Sequence, residues 1–305
     1  MIKNILNNRL KLFTIFLSIS VLFLEGQSLF NNNLFFVGLG PAWSNFDSLV
    51  SYDYKNVNTT TKLDSQYKIN IAKGYQLSTF LVLYVNDYCI PYFHYIHSSL
   101  NNGNGILQSY NVQNGKFIDF VECHDFTPKI KSDYFAVGDY IKIHERKLFD
   151  RLLTLYFFAG YNIEKTKSIA DWTDDFSISC STWYGAALGV SADYNLSQNI
   201  TLWLGEYIYP DRINIVSTRN SLLGENAGFE SFIYFSNYLT TSLIYNLQHN
   251  QNASLGITFG YFLSRNIGQA NIILSETDSN TFTNPKLHFE KSNYFVFLFD
   301  FLVDF

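Results

Sequence analysis

The C-terminal twelve residues, YFVFLFDFLVDF, constrain the fold of this chain more than any other stretch. Side chains of a β-strand point alternately to its two faces. The opposite face of this segment is mixed and includes Asp300 and Asp304. A buried edge strand of a soluble sandwich and a strand that faces lipid can both alternate in this way, so the rest of the chain must decide. The apolar face would carry Phe295, Phe297, Phe299, Phe301, Val303 and Phe305.

The first 28 residues have the three parts of a secretory signal peptide. Lys3, Arg9 and Lys11 precede an apolar or hydroxyl-bearing run at residues 12–24. This run is shorter than the roughly 20 residues that a helix needs to cross a bilayer. Small residues follow it, so we expect cleavage after Ser28 and export of residues 29–305, with an uncleaved anchor as the alternative.

The composition of the chain favours a membrane protein built from strands. Charged residues make up 15% of the chain, against about 25% in soluble domains, and aromatic residues reach 18%. No segment after residue 24 approaches the roughly 18 consecutive apolar residues of a membrane helix. The strands of a transmembrane barrel meet lipid at every second residue only, so their mean hydropathy stays low. Lysine and arginine are not clustered along the sequence, so no nucleic-acid partner is expected.

Three internal segments repeat the alternation of the C-terminus. In TWYGAALGVSADYN, one face is apolar and has a tyrosine at each end, a pattern typical of strands that meet lipid between two interfaces. Residues 153–161 and 255–263 have the same pattern, with Thr, Gly, Ser and Asn among the residues of the opposite face. A helical period would break these runs within two turns.

The connections indicate the topology. Further strands are predicted at residues 33–44, 68–85, 89–98, 132–145, 200–213 and 229–246, which gives about ten. Short turns at 85–87, 146–150, 195–198 and 247–252 alternate with long polar segments at 45–67, 99–131, 166–181, 214–228 and 269–289. This alternation is typical of bacterial barrels with short periplasmic turns and long extracellular loops. We therefore predict an all-β fold, a transmembrane antiparallel up-and-down β-barrel at residues 29–305 with five long extracellular loops.

Two features leave details of this barrel open. The segment at 99–131 could contain another weak hairpin, so eight or twelve strands remain alternatives to ten. Glu206 continues an outward face that carries Ile200, Leu202 and Leu204, and Asp139 poses the same difficulty in its own strand. A bulge that changes the register, or a position at the rim, would account for either acid.

Residues 29–305 resemble the bacterial outer-membrane β-barrel superfamily. The resemblance is carried by the signal peptide, the alternating strands and a terminal phenylalanine. It implies that Phe299, Phe301, Val303 and Phe305 are a recognition strand for the barrel-assembly machinery. It also implies a location in the cell outer membrane, with lipid and lipopolysaccharide as surroundings.

The sequence offers few groups for catalysis. Asp171, Asp174 and Asp175 lie in one long polar segment, and Glu122, His124 and Asp125 lie in another. These acids and the acid-x-His pattern are similar to those of omptins, the ten-stranded outer-membrane proteases, but they occur in the reverse order and with Glu in place of Asp. A lipid-A-modifying hydrolase would need Ser and His side by side at the rim, and the matching cluster is His94, His97, Ser98 and Ser99.

We therefore expect a non-enzymatic, surface-exposed barrel whose loops bind host, matrix or envelope partners. A narrow porin for small solutes is the first alternative, although side chains fill the interior of a barrel of about eight strands. A barrel enzyme is the second alternative. No cofactor or metal is expected, because no Cys/His spacing suits zinc.

The three cysteines predict one disulfide. Cys123 and Cys180 both fall in predicted extracellular segments that neighbour each other, in an oxidising environment. Cys89 starts a strand at the periplasmic end, roughly 30 Å away across the membrane. We therefore predict a Cys123–Cys180 disulfide with Cys89 free, and three unpaired thiols as the alternative, since an odd count does not oblige pairing.

Overall fold

The computed structural model describes residues 30–56, 59–113, 116–172, 175–220, 224–247, 253–266, 270–273 and 282–305. The predicted signal peptide at residues 1–28 lies outside the described residues. Within the described ranges, no helix has the length and apolar character needed to cross a membrane.

Strands account for nearly all of the described chain. They are β1 (Leu34–Asn56), β2 (Thr59–Val82), β3 (Ile90–Gln113), β4 (Lys116–Leu148), β5 (Arg151–Trp172), β6 (Asp175–Asn195), β7 (Ile200–Asn220), β8 (Gly224–Asn246), β9 (Ala253–Asn266), β10 (Ala270–Ile273) and β11 (Phe282–Asp304). Both β9 and β10 pair with β8 and β11, in nearly continuous register. They therefore occupy one position in the wall, which has the ten strands that the sequence predicts.

The sheet closes on itself as an antiparallel up-and-down barrel. With β9 and β10 counted as one position, each strand pairs with its neighbour in the chain, and β1 pairs with β11 from Leu34–Asp304 through Leu39–Phe299 and onward. Among the described strands, closure leaves none at an open edge. An open edge in hydrocarbon would be unfavourable, because no water is there to satisfy its backbone. The predicted fold class is confirmed.

The inward and outward faces follow the predicted alternation. Leu188 on β6 is 45% exposed and Phe299 on β11 is 62% exposed, whereas their neighbours Ala187 and Leu298 are buried. The outward apolar side chains form a band around the wall, which we call the apolar belt. It includes Leu39, Phe93, Phe135, Tyr161, Leu188, Ile208, Leu239, Ile257 and Phe299.

Four lysines on β2, β4, β5 and β11 mark one limit of the apolar belt, at the end of the barrel opposite the chain termini. Exposed lysines stand on the wall beyond Tyr75, Phe135, Ile163 and Phe295, in the direction of the hairpin tips. We take them as the limit of the membrane-spanning segments, and we call the strand parts beyond them the extension. The lysines are Lys73, Lys131, Lys165 and Lys291.

The five long polar segments are mostly β-structure, which corrects the prediction of five long loops. For example, residues 99–131 belong almost entirely to β3 and β4, which continue as a paired hairpin to Gln113–Lys116. A strand surrounded by water can be polar on both faces, so it shows no alternation of hydrophobicity in the sequence. The barrel wall therefore rises well beyond the apolar belt.

The interior of the membrane-spanning part is packed with aromatic rings. Phe30, which precedes β1, enters the barrel and lies 4.8 Å from Trp203, 5.0 Å from Tyr140 and 5.1 Å from Tyr156, measured between ring centroids. Further buried side chains surround these rings, namely Leu34, Phe36, Val82, Ile90, Phe158, Tyr207, Tyr209, Ile244 and Leu302. The core of this protein is thus its lumen.

Candidate functional site

The extension contains a polar cluster on the strands that close the barrel. Ser51 on β1 is buried, and its Oγ lies 2.5 Å from Oδ1 of Asp64 on β2 and 2.6 Å from Nε2 of His288 on β11. Lys62 Nζ lies 3.6 Å from the same Asp64 oxygen. The cluster therefore brings a hydroxyl, an imidazole and a carboxylate together across three strands.

Irregular pairing places His288 in this cluster. Leu49 pairs with Phe289 and Val50 with Leu287, so His288 is an extra residue of β11 opposite adjacent residues of β1. A β-bulge of this kind redirects a side chain, and bulges are common beside active sites. The cluster cannot be predicted from the sequence, because His288 is 237 positions from Ser51 and only the closing register joins them.

A buried carboxyl group stands two positions from His288 on the same strand. Burial of Glu290 raises its pKa from 4.5 to about 7, and a contact with the Tyr234 hydroxyl lowers that pKa in part. The backbone N–H of Glu290 donates to Oδ1 of Asn266 at 2.6 Å. Glu290 is therefore a buried acid of the extension whose pKa is raised toward neutrality.

The predicted acid and histidine segments lie near two hairpin tips. His124 is half-buried on β4, and alternation directs Asp125 to the opposite face, where it is exposed. Asp171 of β5 pairs with Thr127 of β4, so the two segments do reach neighbouring strands. The side chains of Glu122, Asp171 and Asp175, and all of Asp174, lie outside the described residues.

The predicted Ser/His cluster at the rim does not form, because alternation separates the two histidines. His94 faces the interior, where Nε2 lies 2.8 Å from Ser78 Oγ and Nδ1 lies 2.6 Å from the Tyr92 hydroxyl. His97 faces outward, and its Nδ1 lies 2.9 Å from Asp133 Oδ1. The Tyr95 hydroxyl donates to the same Asp133 oxygen at 2.7 Å.

Lysines line a shallow groove on the outside of the wall, just beyond the apolar belt. Lys131 of β4 and Lys167 of β5 are directly opposite each other, and Lys129 and Ile169 form the next pair. Asn101 also lines the groove. Like charges directly opposite each other on a sheet repel, which destabilises the pair. An anion in the groove would remove this repulsion.

The predicted disulfide is not formed in the structure. Cys89, Cys123 and Cys180 are all free thiols. Cys123 lies on β4 and Cys180 on β6, with β5 between them. Cys180 is opposite Lys167, which is opposite Lys131, so Cys123 is also displaced along the strand direction by several residues.

The predicted assembly residues all lie on the outward face of the closing strand. Phe299, Phe301 and Phe305 are exposed, and Val303 is partly exposed. The backbone N–H of Phe305 donates to the carbonyl oxygen of Asn33 at 3.1 Å, beside the start of β1. The residues are therefore accessible on the strand that seals the barrel, and recognition by the assembly machinery stays a prediction.

Glu206 lies inside the apolar belt. Both explanations offered from the sequence, a bulge that changes the register and a position at the rim, are therefore wrong for this residue. The register is regular there, since Gly205 and Tyr207 are buried while Leu204 and Ile208 flank Glu206 on the outward face. Asp139 is likewise exposed on the outward face of β4, where it pairs with Pro91 and Ala159. No bulge lies between these residues, so Glu206 lies within the belt, whereas Asp139 lies beside Pro91, the second residue of β3.

Comparison with known proteins gives a likeness of fold. No protein family model and no curated protein sequence matches the chain. The crystal structure of the outer membrane protease OmpT from Escherichia coli superposes with a TM-score of 0.69 at 9% identity, over 92% of this chain and 99% of that one. A Pseudomonas aeruginosa FadL homologue covers 90% of this chain at 9% identity, but with a TM-score of only 0.28. In its fold, the chain is a ten-stranded antiparallel β-barrel of the outer-membrane type.

Proposed function

We propose that this chain is a surface-exposed outer-membrane barrel that acts as a closed scaffold and binds partners through its extension. The packed lumen carries the proposal. Phe30 and the aromatic rings around it fill the interior at the level of the apolar belt, so the membrane part offers no wide path for solutes. This packing also argues against the alternative of a porin.

The extension supplies the surface for binding. In bacterial barrels the long hairpins are extracellular and the short turns are periplasmic. Here β4 alone has 33 residues and β3 has 24, far more than the roughly 10 that cross a membrane. In the described part of the extension the strands are paired, and residues on such a scaffold are well placed to recognise host, matrix or envelope molecules.

Shortening one hairpin tests this binding role. Gly105 and Phe126 are paired across β3 and β4, so a short turn can join them and remove the outer half of the hairpin. Cells that display the shortened barrel should insert it normally but adhere less to immobilised extracellular-matrix proteins than cells with the full barrel. Equal adherence after shortening each of the described hairpins in turn would contradict the proposal.

The lysine groove supports lipopolysaccharide as a neighbouring partner. Its lysines stand just beyond the apolar belt, at the level where phosphate groups of an outer-leaflet glycolipid would lie. Exchange of Lys131 and Lys167 for glutamine should weaken retention of lipopolysaccharide by the purified barrel, whereas exchange of the exposed Lys62 should not. If the same exchange weakens retention of phosphatidylglycerol or of inorganic phosphate to the same extent, the groove binds anions in general and has no preference for lipopolysaccharide.

A hydrolase is the second candidate function. The observation that favours it is the Ser51–Asp64–His288 cluster, and the fold likeness to the outer membrane protease OmpT makes peptides the first substrates to try. The refolded barrel should be assayed with fluorogenic peptides and esters. Turnover that disappears in Ser51→Ala and His288→Ala would favour the cluster, and turnover that disappears only in His124→Ala would favour the segment predicted from the sequence.

A further inference from the structure

Glu206 is an acid in the part of the wall that faces lipid. Its neighbours along β7 on the outward face are Leu204 and Ile208, and its partners across the sheet are Val190 on β6 and Leu239 on β8. All four neighbours are apolar, so the carboxyl group is surrounded by belt residues. Ionisable residues at membrane depth are costly and rare, and they usually mark a functional contact.

Asn237 on β8 accompanies this acid. Its Nδ2 donates a hydrogen bond to Glu206 Oε1 at 2.8 Å, across the β7–β8 pair. The described part of the chain offers the second N–H and the amide oxygen of Asn237 no further hydrogen bond. The pair thus presents both a donor and an acceptor to whatever covers this side of the barrel.

We propose that the outward face of β7 and β8 is an interface with a second copy of this chain, centred on Glu206 and Asn237. Hydrocarbon tails offer no hydrogen bonds, so lipid alone leaves the pair unsatisfied. Two copies inserted in the same orientation are related by a two-fold axis along the membrane normal. Each copy then meets its partner at equal depth, and a Glu206–Asn237 pair meets another Glu206–Asn237 pair.

The interface is self-complementary. The free N–H of each Asn237 faces the carboxyl oxygens of the other copy's Glu206 and can donate to them, so each copy supplies a donor to the other copy's acid. Exposed apolar side chains flank the pair and would pack around the polar centre, namely Leu188, Ile208, Leu239 and Leu243. Hydrogen bonds between polar side chains are a known means of joining membrane segments.

Cysteine cross-linking in native outer membranes tests this interface. The background has Cys89, Cys123 and Cys180 replaced by serine, and the probe is Leu239→Cys or, at a second position on β8, Leu243→Cys. The matched control is Leu77→Cys, on the outward face of β2, five strands around the wall from β7. We expect oxidation to give a band of twice the monomer mass for the β8 probes and only monomer for the control.

Substitution of Glu206 and Asn237 distinguishes a specific interface from cross-links that form by chance collision in the membrane. Glu206→Leu and Asn237→Leu should each reduce the cross-linked fraction several-fold, whereas Glu206→Gln, which keeps the hydrogen bonds, should preserve it. Heat-modifiable migration on gels confirms that each variant is folded. A control that cross-links as well as the probes, a product of some other mass, no product at either β8 position, or a yield unaffected by Glu206→Leu would each overturn the proposal.

Discussion

The hydroxyl groups of Tyr140 and Tyr207 lie 2.6 Å apart inside the barrel and join β4 to β7 across the lumen. These strands are not neighbours in the wall, so the hydrogen bond is a brace between separate parts of it. Tyr134 and Tyr209, also on β4 and β7, make a second contact at 3.1 Å. The lumen is thus held closed by specific bonds in addition to ring packing.

Loss of this brace should destabilise the barrel measurably. Tyr140→Phe leaves a buried hydroxyl without its partner and should lower the free energy of unfolding by about 1–3 kcal/mol. Reversible urea unfolding in lipid vesicles, followed by tryptophan fluorescence, gives the value. In a double-mutant cycle with Tyr207→Phe, the two losses should add up to more than the loss in the double variant, and simple additivity would contradict the brace.

Stability should fall as the pH rises through the range in which Glu290 ionises. Burial raises the pKa of Glu290 from 4.5 in the unfolded chain to about 7 in the folded barrel. Between these pH values the folded state keeps a proton that the unfolded state has released, so the free energy of unfolding decreases with rising pH until it levels off above about 7.

Glu290→Gln should remove this pH dependence, because glutamine does not titrate. The measurement is the free energy of unfolding from pH 4 to pH 8 for the native chain and the variant, with the exposed Asp150→Asn as control. Parallel curves for the native chain and Glu290→Gln would contradict the assigned pKa.

A charge in the apolar belt should cost far more than a charge in the extension. Leu188→Arg should lower the free energy of unfolding by about 2–4 kcal/mol, since the position faces the middle of the membrane. Thr127→Arg, exposed in the extension, should change it by less than about 0.5 kcal/mol. Equal effects at Leu188 and Thr127 would show that the belt is misplaced.

The terminal aromatic residue should matter for assembly more than for export. Phe305→Ser removes the last side chain of the outward face of β11, while signal-peptide function stays intact. We expect the variant to reach the periplasm but to accumulate there without heat-modifiable barrel in the outer membrane. Leu196→Ser, an exposed residue in a short turn, is the control. Normal insertion of the Phe305→Ser variant would contradict the predicted role of Phe305 in assembly.

The membrane-spanning part could be predicted from the sequence because two environments impose opposite chemistry on alternate residues. Leu188 and Ala187 show this directly, since lipid requires the first and tight interior packing the second. The extension could not be delimited, because water accepts polar residues on both faces of strands such as β3 and β4. Only the alternating part of each strand can therefore be recognised in the sequence.

The candidate site depends on information that no local pattern contains. Ser51, Asp64 and His288 meet through the register of β1 with β2 and β11 and through one bulge, and neither the register nor the bulge has a signature in the sequence. His94 and His97 show the converse case, in which nearness in the sequence wrongly predicts a shared site. They are close in sequence, yet alternation turns them to opposite sides of the wall.

Planar-bilayer recording of the refolded barrel tests the closed-scaffold account most directly. Phe30 and the rings of Tyr140, Tyr156 and Trp203 fill the lumen, so the native chain should show no steady conductance after insertion. A variant with Phe30, Tyr156 and Trp203 all replaced by alanine confirms that an opened lumen is detectable. Absence of current in the native chain and current in the variant is the predicted result, and steady channels in the native chain would contradict the account.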